Sequence, residues 1–144
     1  MDYYYFTLEY AIKTHDFIIE ESGGATGVKD IGLLESVLDH IQNDWYYPDF
    51  ETKLTHLVYS VNKNHAFSDG NKRSSIALGA YFLELNGLDY CVDKFIIEME
   101  NIAVHVADNR IDKDLCCLGR QFQNFFAILR LWTCLISSPL ATLL

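Results

Sequence analysis

Apolar residues recur at three- and four-residue spacing along most of this chain, the pattern of helices with one buried face. The first such stretch covers residues 3–21. Leu8, Ile12, His15 and Ile19 fall on one stripe there, and Thr7 is placed to cap it. A second helix is expected over 30–40, with Asp30 as cap and Leu33, Leu34, Val37, Leu38 and Ile41 facing inward. A third, over 51–63, lines one side with Leu54, Leu57, Val58 and Val61. The fourth, 71–86, differs: Ile76, Ala77, Leu78, Ala80, Tyr81, Leu83 and Leu85 make it apolar on nearly every side, as suits a central, surrounded helix. A fifth runs from Asp93 to about Asp108, with Phe95 or Ile96, Met99, Ile102, Ala103 and Val106 inward. After a turn, Asp112 opens a sixth through Leu115, Leu118 and Phe122. The pattern predicts an all-α fold: a compact bundle of about six helices around a buried central one.

The connections carry their own signals. Residues 22–30 hold Gly23, Gly24 and Gly27, a flexible or hairpin-like segment. Residues 42–50 gather Trp45, Tyr46, Tyr47 and Phe50 with Pro48, which reads first as a lid on the core and second as a stacking surface for a base or a partner. Asn86 and Gly87 stop the fourth helix, and 88–92 reads as a short extended connector. Two assignments of His15–Asp16 stay open, a catalytic pair or a polar pair tying the first helix to the next loop.

Composition narrows the function classes. At 144 residues, half of them apolar, the chain suits one domain. A net charge of −9 argues against a general nucleic-acid or anionic-membrane binder. Cys91, Cys116, Cys117 and Cys134 show no metal-ligand spacing and read as reduced, buried thiols. With an acidic start that resembles no secretory signal, the expected compartment is the cytoplasm.

The end of the chain breaks the pattern. We divide it into a domain over 1–124 and an apolar tail over 125–144, whose only charge is Arg130. Three readings stay open for the tail: a packing or homo-oligomer helix, a membrane anchor interrupted by Pro139, or an altered C-terminus.

The chemistry concentrates in residues 65–73, His-Ala-Phe-Ser-Asp-Gly-Asn-Lys-Arg, directly before the central helix. The first turn of a helix leaves backbone N–H groups unpaired and carries partial positive charge, so it can receive a phosphate. Gly70 allows close backbone approach, and the amides of Gly70, Asn71 and Lys72 can form a concavity for an anion. Lys72 and Arg73 add positive charge. Asp69 repels phosphate unless it shares Mg²⁺ with the phosphate oxygens. His65 can take a proton from an attacking hydroxyl. Phe67 reads as the anchor of the loop.

These residues resemble the signature of the Fic/Doc family, His-Pro-Phe-x-Asp/Glu-Gly-Asn-Gly/Lys-Arg, matched here by His65, Phe67, Asp69, Gly70, Asn71, Lys72 and Arg73. The resemblance extends over roughly 8–122 and implies an all-helical fold and transfer of part of a nucleotide to a protein hydroxyl. It implies His65 as the base, Asp69 as the metal ligand, and Gly70, Asn71, Lys72 and Arg73 as the phosphate cradle. It also implies a flap at Gly23, Gly24 and Gly27 that lies over the active site.

Two departures point to one branch. The AMP-transferring relatives usually have Gly where this chain has Lys72, and a second Arg where it has Ile76. Both features resemble the death-on-curing (Doc) toxins. The first reading is therefore a toxin that transfers the γ-phosphoryl of ATP, with Mg²⁺, to a Ser/Thr hydroxyl of a target, by resemblance elongation factor Tu. The second is a nucleotidyl transferase attacked at the α-phosphate. The third is an inactive partner-binding module, which would need neither His65 nor Asp69. No inhibitory Ser/Thr-x-x-x-Glu-Gly/Asn segment is found; Glu100–Asn101 comes nearest, but the residue four before Glu100 is Ile96. Restraint is then expected from a separate antitoxin.

Overall fold

The computed structural model describes residues 2–107. The expected sixth helix, Cys116, Cys117, Cys134 and the 125–144 tail lie outside the described residues, as does the side chain of Val106. Five α-helices are described: α1 (Leu8–Ser22), α2 (Ile31–Ile41), α3 (Phe50–Lys63), α4 (Asn71–Leu85) and α5 (Val92–Ala107). The fold is all-α.

Local chemistry sets the helix starts. Thr7, Asp30 and Asp49 sit in extended conformation and accept from the amides of Tyr10, Leu33 and Thr52. α1 begins at Leu8, later than the aromatic run suggests, because Tyr3 and Tyr5 are spent on tertiary packing. Tyr3 lies 5.4 Å from Phe50 and Tyr5 5.8 Å from Phe82, centroid to centroid. Asn86 clasps the backbone of Tyr4 from both sides, accepting from its N–H at 2.9 Å and donating to its carbonyl at 3.1 Å. Gly87, at φ 75°, and the bond from Leu88 N–H to Leu83 O end α4. The segment expected to be extended after it is a 3₁₀ turn, Asp89–Cys91, leading straight into α5.

α4 packs against α3, α5 and α1. Leu78, Phe82 and Leu83 are completely buried, each worth about 1.5–3 kcal/mol in apolar transfer. Its remaining buried positions are small or polar: Asn71, Ser74, Ser75, Gly79 and Ala80. They let neighbouring helices approach a helix that the pattern describes only as apolar. The aromatic loop divides. Phe50 is core and Tyr47 stacks on His56 at 4.3 Å, but Trp45 is 95% exposed and Tyr46 points outward as well. The lid is therefore half of what the sequence suggests.

Lys53 is fully buried, with its ammonium donating to Ile41 O at 2.8 Å and to Asp44 at 2.6 Å. Burial alone would lower its pKa; the hydrogen bonds with Asp44 and Tyr5 outweigh that and hold it above the ordinary lysine value. Lys53→Ala leaves the last carbonyl of α2 without its donor. The expected cost is about 2–3 kcal/mol in urea denaturation, with Lys53→Met falling between wild type and Ala because it keeps the packed stem.

Candidate active site

Residues 64–70 join α3 to α4 as a tight loop whose backbone is organised from inside. Phe67 is buried, and the side chain of Asn71 bonds it both ways, Oδ1 accepting from Phe67 N–H and Nδ2 donating to Phe67 O, each at 2.9 Å. The Asn71 side chain is thus turned inward on the loop. What Asn71 offers an anion is its backbone amide, which precedes the first intrahelical bond, from Ser74 N–H to Gly70 O. Gly70 occupies the left-handed region at φ 74° and stands at the N-cap. A Cβ there would lie 2.9 Å from Ile19, so glycine is required on both counts.

His65 is exposed and has φ 52°, uncommon for a non-glycine residue though tolerated by histidine. Lys72 is exposed and Arg73 half-buried at the same end of α4. Lys72 and Arg73 stand in the first turn of α4, and His65 lies in the loop that leads into it.

The glycine segment is joined to this loop. Val28 and Phe67 form an antiparallel bridge. Ser68 N–H donates to Gly27 O at 3.0 Å, and the amides of Lys29 and Asp30 donate to Ala66 O at 2.8 and 3.0 Å. Gly23, Gly24 and Gly27 all have positive φ. Side chains of the motif reach the same segment. Asp69 Oδ2 accepts from Ala25 N–H at 3.2 Å, while Arg73 Nη1 donates to Gly23 O at 2.8 Å and to Ser22 Oγ. A Cβ on Gly24 would stand 2.6 Å from Asp69 Oδ2 and 3.1 Å from Arg73 Nη2, so any larger residue there displaces these side chains. Gly24→Ala, strained as well at φ 129°, is expected to loosen the segment by about 1–3 kcal/mol. Amide exchange should then speed up at Ala25 and Ser68 and stay unchanged in the core of α4.

The first influence on Asp69 is the Gly70 N–H, donating at 2.6 Å, and the second is that of Ala25; together they hold the carboxyl below the usual carboxylate range, against a smaller opposing effect of burial. The Gly70 amide, an expected anion donor, is thereby turned toward Asp69. The carboxylate is ionised, exposed and keeps a lone pair on each oxygen. Among the described residues no group of three His, Cys, Asp or Glu could enclose a metal. A single carboxylate suits Mg²⁺ that takes its other ligands from phosphates and water.

The structure decides the role of one residue that the sequence leaves open. His15, on α1, is completely buried. Its ring lies parallel to Phe67 at 3.9 Å and 1°, and Nε2 meets Asp69 O at 2.9 Å. The polar-pair reading of His15–Asp16 correctly makes it a tether, but the loop it holds lies 54 residues away. A polar residue on the buried stripe of α1 is the signal for it. Ser22, the partner of Arg73, carries no such mark.

The model of a family described as the Fic/DOC family matches residues 5–83. The chain is also 34% identical over 109 residues to a curated protein of Mycolicibacterium smegmatis named Toxin Doc, an alignment that covers 73% of this chain and 82% of that protein.

Proposed function

The chain belongs to the Fic/DOC family, and on that premise we propose that it is a Doc-like toxin that transfers the γ-phosphoryl of ATP to a Ser/Thr hydroxyl of a target protein. The observation that carries the reading is the composition of the first two turns of α4, with Lys72 where the AMP-transferring branch usually has Gly and Ile76 where it has its second Arg. Likeness to Toxin Doc supports the same branch.

The residues would divide the work as follows. His65, exposed on the loop, accepts the proton of the target hydroxyl as that oxygen attacks the γ-phosphorus. The terminal phosphoryl leaves ADP in line, and the positive end of α4, Lys72 and Arg73 carry the phosphate charge. Asp69 would hold Mg²⁺, whose chemistry is to neutralise the phosphate oxygens. The segment 22–30 would act as the flap that steers a target strand, a role its backbone bonds to the loop support. Elongation factor Tu is the target the resemblance suggests, a separate antitoxin is the restraint, and the cytoplasm is the compartment. Among the described residues no helix is long and apolar enough to cross a membrane.

The test is to incubate the protein, free of antitoxin, with host lysate and ATP labelled at either the γ or the α phosphate. Label on protein from the γ position alone is the expected result. Label from the α position alone would replace phosphorylation by nucleotidylation, and none from either would leave a binding module.

A further inference from the structure

We propose that His15 is a positioning residue that selects the orientation of the Asp69–Gly70 peptide, and through it the direction in which the loop presents its amide and carboxylate. This rests on the proposed reading only in what the loop is for.

A carbonyl oxygen only accepts, so the 2.9 Å contact from His15 Nε2 to Asp69 O requires the proton on Nε2. The peptide is planar and trans, so C=O and N–H point to opposite sides of it. Pinning Asp69 O on the inner side therefore aims Gly70 N–H outward, where Asp69 Oδ1 receives it at 2.6 Å. The φ of Gly70 does not enforce that choice by itself, because glycine is free to reverse its sign. The ring is itself immobile. It is fully buried, and Phe67 covers its face at 3.9 Å. A phenyl ring would fill the same slot and keep the stack. An imidazole in that place is explained by the bond it makes to the loop.

Two variants separate the two contacts. His15→Phe keeps the stack and loses the donor; His15→Gln keeps an N–H at the right reach and loses the stack. The first readout is the Gly70 amide by NMR, which needs no enzymatic activity. It is expected to move strongly upfield in His15→Phe, as its bond to the Asp69 carboxylate is lost, and to stay near the wild-type position in His15→Gln. The second readout is γ-phosphoryl transfer, where His15→Phe should lower kcat by about 100-fold with little change in KM for the target, and His15→Gln should restore most of it. A Gly70 amide unmoved in His15→Phe overturns the inference whatever the activity. If the amide moves and wild type transfers no phosphoryl, the positioning role stands and the kinase reading falls. Should His15→Phe fail to fold, the wild type alone decides: a slowly exchanging Nε2 proton on His15 supports the inference, and an unprotonated Nε2 overturns it.

Discussion

His65→Ala is expected to abolish measurable transfer, a loss on the order of 10²–10⁴-fold for removal of a general base, while the protein stays folded. The second half of that expectation comes from the surroundings of His65. The ring is exposed, and the core beneath is closed by Ala66 and Phe67, each about 1% exposed. The backbone on either side is held independently, by Asn64 N–H on Ser60 O and by Ala66 O under the amides of Lys29 and Asp30. What alanine loses is the tolerance of histidine for φ 52°, worth about 1 kcal/mol. His65→Asn restores that tolerance without an imidazole, so it should match wild type in thermal stability and match His65→Ala in inactivity. Phosphoryl transfer from γ-labelled ATP, measured beside circular-dichroism melts of both variants, checks the pair. Full activity in either variant would remove His65 from the chemistry.

The sequence made the helices legible because caps and stripes are local. Thr7 and Asp30 were readable from the residues that follow them, and the stripe of α2 is buried as its spacing predicts, except Leu33 at its edge. The concentration of chemistry in 65–73 was legible for the same reason: nine consecutive residues carry it. Contacts across 44–54 residues were not legible. They tie His15 to Asp69, Ala25 to Asp69, and Gly23 to Arg73. Composition announces that 22–30 is flexible, but nothing in it says that Asp69 and Arg73 are what it is fastened to. The same limit applies to Tyr3 and Tyr5, whose ring contacts with Phe50 and Phe82 hold the start of the chain out of α1. The direction of the Asn71 side chain, into the loop and away from solvent, follows from the left-handed turn at Gly70 and is likewise invisible in the motif.

Gly79→Val is expected to cost most of the stability of the domain, and the reason lies at the crossing of three helices. A Cβ built on Gly79 would stand 2.7 Å from Val58 Cγ2 on α3 and 2.7 Å from Phe95 Cζ on α5, closer than carbon atoms pack. Val58 is 2% exposed and Phe95 1% exposed, so neither has open space to retreat into. In an open helix Gly→Ala gains about 1 kcal/mol from propensity. Here overpacking, typically about 1–3 kcal/mol, opposes it. The two together leave Gly79→Ala destabilised by up to about 2 kcal/mol, and Gly79→Val, with two more methyl groups in the same gap, by clearly more. The cause can be separated from a general intolerance of change. Val58→Ala makes room on one side, so Gly79→Ala and Val58→Ala together should be more stable than the sum of their separate losses allows, as contacting sites do in a double-mutant cycle. Urea denaturation of the four proteins measures this, and a Gly79→Ala variant more stable than wild type by the full propensity gain of about 1 kcal/mol would show that the crossing is looser than the structure has it. The consequence reaches the site as well. α4 runs from Asn71 past Gly79 as one rigid element, so helices forced apart at the crossing tilt the end that carries Lys72 and Arg73. The fraction of Gly79→Ala that remains folded should then transfer phosphoryl more slowly than wild type, although the substitution lies two turns from the loop.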